Sequence, residues 1–233
     1  MKKLFFLVAL FLAFSLSTCS LRRYEGAGKK KAQIPCLKKI VIIGFRPISP
    51  IFKGSSFVRS PISGNTFRGG KVSEDIATCM TEFLVERISE ERNLELITPD
   101  IVKKEFLDIH QVIDSTYRKD ILLEYIKQIG KTFDADAVIL GYVFRWEERV
   151  GSDFSSISPA SVAFGLYLID TEKGEVIWKN EFDKTQQSLS ENLLEIKTFI
   201  KGKGRWLTAE GLAKIGLSEM VKKLLKTQRG CKR

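Results

Sequence analysis

Residues Pro159–Gln186, PASVAFGLYLIDTEKGEVIWKNEFDKTQ, decide how this chain folds. From Val162 to Ile169 both alternating sets are apolar or small: Val162, Phe164, Leu166 and Leu168 on one face, Ala163, Gly165, Tyr167 and Ile169 on the other. A strand of this kind is buried on both sides. Asp170 to Gly174 then supply a short polar turn whose glycine is free to take positive φ, so the chain folds straight back. In the return strand Val176, Trp178 and Phe182 share one face, and Glu175, Lys179, Glu181 and Asp183, relieved by Ile177, share the other. That strand is half exposed. Neither strand offers an evident catalytic group, and Asp170 reads as a turn residue.

Working outward, Lys39 to Phe45 (KIVIIGF) and Ala137 to Phe144 (AVILGYVF) are continuous apolar runs that suit central strands. A long loop carrying Phe52, Phe57 and Phe67 follows the first, and its phenylalanines are expected to pack the loop down. Ser73 is placed to cap a helix with Glu74 and Asp75 in its first turn and Ile76, Met80, Phe83, Leu84 and Ile88 at helical spacing. Cys79, next to Met80, reads as a small core residue. Leu94 to Ile97 is a short strand, and Thr98-Pro99 restarts a helix through about Phe106. After a breaker region over His110 to Ser115, a helix with Ile121, Leu122, Tyr125, Ile126 and Ile129 inward ends near Gly130. Thr208 caps a last helix with Leu217, Met220, Val221, Leu224 and Leu225 inward. The order β-α-β-α-α-β-β-β-α predicts an α/β (α+β) fold, a single mixed-sheet domain with helices packed on it.

The totals are those of a globular protein, 233 residues with 44% apolar and 28% charged, and its formal charge of +10 falls to +8 without Lys2 and Lys3. Those two lysines precede an unbroken apolar run from Leu4 to Phe14, then small residues ending at Cys19. Eleven apolar residues span only about 17 Å of helix, short of the ~30 Å bilayer core, so residues 1–18 read as a signal peptide. Leu16-Ser17-Thr18-Cys19 resembles the bacterial lipobox, with Thr18 where a smaller residue is usual, which implies acylation (palmitate among the chains) at Cys19. Several acyl chains on one residue hold a protein on a membrane without other contacts. Ser20 after the cysteine, where an aspartate would resemble an inner-membrane retention signal, favours the outer membrane, with the folded domain in the periplasm. Residues 19–37 read as a flexible basic tether, 38–228 as the α/β domain and 229–233 as a basic tail. Cys36 and Cys231 stand just outside the two ends of the domain and are candidates for a disulfide pair.

Chemistry is sparse. His110 is the single histidine, which excludes His-based triads and multi-histidine metal sites, and it reads as a loop residue without a role. Glu147 and Glu148 are adjacent, so a strand sends them to opposite faces, and neither a P-loop nor a GxGxxG fingerprint occurs. No catalytic residue, metal site or cofactor other than the lipid on Cys19 is assigned, and no nucleic-acid partner. The binding candidate is the loop holding Lys201, Lys203, Arg205 and Trp206. Its cations attract an anion or an acidic partner, its glycines let backbone N–H groups approach, and its tryptophan can anchor.

The runs IVIIGF at 40–45, GKVSEDIATCMTEFL at 70–84, FDADAVILGYV at 133–143 and VAFGLYLIDTEKGEVIW at 162–178 resemble the envelope lipoproteins related to CsgG and LpoB. The resemblance implies an α/β core like the TolB N-terminal and anticodon-binding-like domains. It also implies a non-enzymatic, membrane-anchored module that binds or assembles other envelope proteins. Two alternatives stay open: a subunit of a CsgG-like oligomeric secretion pore, hence a homo-oligomer, and an LpoB-like activator of a peptidoglycan synthase. Leu189 to Ile200 follows helical spacing rather than the alternation of a barrel strand, which speaks against a pore. The segments 145–158 and 188–206, flanking the hairpin, are where function is expected.

Overall fold

The computed structural model describes residues 34–48, 50, 56–91, 93–151, 156–186 and 206–228. In chain order these form strands β1 (Lys39–Pro47), β2 (Phe57–Arg59) and β3 (Thr66–Arg68), helix α1 (Glu74–Ser89), strand β4 (Glu95–Ile97), and helices α2 (Pro99–Glu105), α3 (Ile109–Ser115) and α4 (Lys119–Thr132). Strands β5 (Ala137–Glu147), β6 (Val150–Gly151), β7 (Ser156–Ser158), β8 (Ser161–Asp170) and β9 (Val176–Thr185) and helix α5 (Ala209–Gln228) complete them. The main sheet has the order β4-β1-β5-β8-β9. β4, β1 and β5 run parallel, and β5, β8 and β9 pair antiparallel, so the sheet is mixed as expected.

β8 lies at the heart of it. Val162, Phe164, Leu166 and Leu168 enter one apolar cluster and Ala163, Tyr167 and Ile169 the other, the alternation read from the sequence. The first cluster is closed by α1, through Ala77, Met80, Leu84 and Ile88, and by α5, through Leu212, Leu217, Met220 and Leu224. The second is closed by Val102 of α2, Ile109 and Ile113 of α3, Leu122, Ile126 and Ile129 of α4, and by Val58 and Phe67 of the β2–β3 hairpin. The result is a sheet between two layers, each fully buried aliphatic side chain contributing about 2 kcal/mol.

Several local expectations change. The span 110–115 is helical rather than a breaker, because Ile109 and Ile113, one turn apart, both bury against the sheet. Cys79 is free and exposed, since the inward row of α1 runs Ala77, Met80, Leu84 and one residue's step turns Cys79 about 100° away. Ile121 is likewise turned out of the core. Neither the Ser73 nor the Thr98 hydroxyl caps its helix, whereas Thr208 Oγ1 accepts from Gly211 N at 3.1 Å. Val176 does not share a face with Trp178 and Phe182. The register shifts between Leu168↔Trp178 and Ile169↔Val176, and the extra residue sends Val176 to the cluster opposite Trp178.

A second bulge, in β1 between Ile42 and Gly44, aims the end of that strand. Gly44 sits at φ +98°, and the displaced Phe45 N–H donates to Thr81 Oγ1 of α1 at 2.8 Å. The β8–β9 turn is as expected: Gly174 has φ +71°, and Asp170 Oδ1 accepts from Glu172 N and Lys173 N at 3.0 and 2.7 Å. At this same end Leu37 N donates to Gln228 Oε1 at 3.0 Å, so the start and finish of the domain meet. Cys36 is disulfide-bonded, and Cys231 lies outside the described residues.

Candidate functional site

The parallel strands β1 and β5 end side by side, and ligands of open α/β sheets tend to bind beyond such carboxyl ends. Here Arg46, in register with Tyr142, carries a guanidinium only 5% exposed. It donates to both Glu74 oxygens, Nη1 to Oε2 at 2.7 Å and Nη2 to Oε1 at 2.9 Å. It also forks onto Asp114, with Nε to Oδ1 at 3.0 Å and Nη2 to Oδ2. The bulge at Gly44 places Arg46 here, the first turn of α1 brings Glu74, and α3 brings Asp114. Burial disfavours the charge on Arg46, but Asp114 and Glu74 outweigh it and raise its pKa. One guanidinium shared by two carboxylates leaves a net negative charge at this point.

His110 completes the cluster, with Nδ1 3.0 Å from Arg46 Nη1. That contact needs an unprotonated Nδ1 as acceptor. Burial, then the charges of Arg46 and Lys103, lower the His110 pKa, and Asp114 and Glu74 pull weakly the other way. Because the folded protein holds this proton less well than the unfolded chain, stability is full above the free value of 6.5 and drains away as pH falls below it. Thermal unfolding between pH 7 and 5 is expected to show a smaller acid-side loss in His110→Gln than in the wild type, and equal slopes would contradict this.

Cavities open on both sides of the cluster. One of about 680 Å³ is bounded by Glu74, Asp114 and Tyr142 together with Ile48, Val58 and Val72. The other, about 420 Å³, runs between α1 and α2 past Arg46 and His110, with Glu82, Glu86 and Asp100 along it. Tyr142 is 2% exposed, and its hydroxyl has no hydrogen-bond partner among the described residues. Burial, then the nearby Asp114 carboxylate, pushes its pKa up, so it stays a neutral phenol.

The long loop after β1 is fastened over the same face. Phe67 stacks on Phe144 with centroids 4.2 Å apart, while Phe57 is largely exposed and Phe52 lies outside the described residues. Ser60 Oγ and Tyr167 Oη lie 2.7 Å apart, Tyr167 donates to Glu181 Oε1 at 2.6 Å, and Asn65 Nδ2 donates to Glu181 Oε2 at 2.6 Å. Burial favours protonating Glu181, yet donors from Ser63, Tyr167 and Asn65 prevail and lower its pKa. The buried Arg145 ties β5 to Ser161 Oγ at 2.7 Å, Arg68 O at 3.1 Å and Asp183 Oδ1 at 2.5 Å.

Of the residues singled out in the sequence, Cys19, Lys201, Lys203, Arg205 and Cys231 lie outside the described residues, as does the run from Leu189 to Ile200. Trp206 is half-buried, and its carbonyl accepts from Arg149 Nη1 at 3.0 Å. Beside it Glu148 Oε2 accepts from Ala209 N at the start of α5, and Gln186 Oε1 from Leu207 N, at 3.0 and 2.7 Å. The roots of 145–158 and 188–206 are therefore joined at one end of the sheet. Arg46, Glu74, Asp114 and Tyr142 were missed. The available signal was Arg46-Pro47 closing an otherwise apolar strand, since an arginine there needs buried partners.

No family model matches the chain, and no curated protein does. Among solved structures it is similar to PelC from Paraburkholderia phytofirmans, solved as a dodecamer, at 12% identity and TM-score 0.42, over 81% of this chain and 88% of that one. It is similar to a lipoprotein from Neisseria meningitidis at 15% identity and TM-score 0.39, over 70% and 91%. It is also similar to the LpoB C-terminal domain from Salmonella enterica at 13% identity and TM-score 0.38, over 66% and 86%.

Proposed function

We propose that this chain is a lipid-anchored protein of the bacterial envelope whose α/β domain is a non-enzymatic binding or assembly module, held at the outer membrane through Cys19 and facing the periplasm. The observation that carries the reading is polarity. The domain begins at Leu37–Lys39, at the end of the sheet where Gln228 closes α5, and the roots of 145–158 and 188–206 lie at the other end. The ten residues of β8 and the twenty of α5 each separate these ends by about 30 Å. A tether running back from Leu37 to an acylated Cys19 would leave the far end free to meet a partner. That end carries Val150 and Ile157 on the β6–β7 hairpin, with Ile157 85% exposed, apolar side chains suited to a protein contact. A Cys36–Cys231 bridge would staple the tethered end.

The test has two parts. Metabolic labelling with an alkyne fatty acid is expected to mark the wild type and not Cys19→Ser, and equal labelling would remove the anchor. Photo-crosslinkers placed at Ile157 and, as the opposite-end control, at Lys173 are expected to trap a partner from the first position only. Capture from Lys173 alone would reverse the proposed orientation.

A further inference from the structure

We propose that the last two turns of α5 dock on anionic phospholipid headgroups, so that the anchored domain leans onto its membrane along one face. The docking rests on the lipid anchor proposed above and adds a contact made by the domain itself. Lys222, Lys223 and Lys226 are exposed, and none has an ion-pair or hydrogen-bond partner among the described residues. Lys214, higher on the same helix, does have one, pairing with Glu210 at 2.5 Å. The three free lysines stand within two turns of Gln228, whose side chain accepts from Leu37 N at 3.0 Å. They therefore lie at the end from which the tether leaves.

The same lysines border a groove of about 1120 Å³ between α5 and the end of α1. Of the other charges along it, Arg87 pairs with Glu90, Lys214 is taken by Glu210, Glu219 is not free, and Glu91 is the remaining carboxylate. Positive charge is thus left over, in a concave surface where several ammonium groups can donate to one phosphodiester. Ile215 and Leu225 in the groove offer apolar surface to the glycerol and upper chain of a lipid. Elsewhere at this end the carboxylates are held. Glu95 pairs with Lys39 at 3.2 Å, Asp136 accepts from Lys38 N and Lys39 N at 2.6 and 2.9 Å, and Asp170 closes its own turn. Glu172 and Glu175 stay exposed in the β8–β9 turn, so repulsion there rolls the domain toward α5. Each lysine brought to an anionic surface strengthens attachment roughly fivefold, and three by about a hundredfold. An acidic polypeptide would offer the same charge, but the tether keeps this end beside headgroups at all times.

The test uses the mature acylated chain reconstituted in vesicles of phosphatidylcholine with or without phosphatidylglycerol, footprinted with acetic anhydride and read by mass spectrometry. Lys222, Lys223 and Lys226 are expected to react about tenfold more slowly on the phosphatidylglycerol vesicles. Lys119, at the start of α4 in the opposite layer, is expected to react equally on both. Salt at about 1 M, where the screening length falls to about 3 Å, is expected to restore the slowed rates. Lys222→Gln combined with Lys223→Gln changes only exposed side chains and leaves the basic tether intact, so its thermal midpoint is expected to match the wild type. In that variant the protection of Lys226 is expected to fall to about twofold or less. Equal rates on both vesicles with the protein still bound to them, undiminished protection of Lys226 in the double variant, or equal slowing at Lys119 would overturn the docking and leave the anchor standing. Protein that fails to float with the phosphatidylcholine vesicles would overturn the anchor, and the docking with it.

Discussion

Replacing Arg46 by methionine lowers the stability of the domain by about 3 kcal/mol, a fall in thermal midpoint of roughly 10 °C for a domain of this size. Methionine keeps the apolar stem, so the loss is that of the guanidinium, which is 5% exposed and bonds to both oxygens of Glu74, to Asp114 and to His110. Two carboxylates are then left facing one another without a cation. They are 61% and 39% exposed and can recover some water, which keeps the effect at the low end of what breaking a buried pair costs. Lysine does not rescue it, because a single ammonium cannot bridge two carboxylates through parallel bonds as a planar fork does. Adding Glu74→Gln and Asp114→Asn to Arg46→Met recovers part of the loss, since it is mostly the penalty of unpaired charge. A drop below about 1 kcal/mol in Arg46→Met, measured by thermal unfolding, would mean that the cluster is solvated.

Gly44→Ala costs a similar amount, about 3 kcal/mol, by a different route. The added Cβ must sit at φ +98° and would lie 2.5 Å from Thr81 Cγ2 and 2.6 Å from Thr81 Oγ1. Thr81 cannot simply rotate away, because its hydroxyl accepts from Phe45 N and donates to Ala77 O at 2.7 Å. The bulge would straighten and carry Arg46 off its partners. Gly174→Ala is the control. It also has positive φ, but its Cβ meets the flexible Lys127 side chain at 3.2 Å and Leu123 O at an ordinary 3.8 Å, so about 1 kcal/mol is lost. Equal losses at the two glycines, measured by chemical denaturation, would show that backbone conformation alone matters and that the Thr81 contact does not.

The site was less legible than the fold. Val162 to Ile169 announced itself because a strand buried on both faces has no polar alternation, and Asp170 and Gly174 carried their turn locally. Ile109 and Ile113 were hidden in a polar stretch, since a seven-residue helix holds only two inward positions and its periodicity cannot be seen in so short a window. His110 looked idle for the same reason. Its neighbour Arg46 is 64 residues away in sequence.

By itself the sequence determined the five strands of the main sheet and every helix but α3, that the sheet is mixed, and the lipobox-like stretch from which a membrane anchor is proposed. Each rests on periodicity or a contiguous motif, properties of neighbouring residues. Only the tertiary structure decided that Arg46, Glu74, Asp114 and Tyr142 meet beside one cavity, and that Glu148 and Arg149 bond to Ala209 and Trp206 at the end opposite Leu37. The Arg46–Glu74, Arg149–Trp206 and Arg46–Asp114 bonds span 28, 57 and 68 residues of chain. They follow from bulges that shift side-chain parity by one and from the packing of whole layers, which no local pattern encodes.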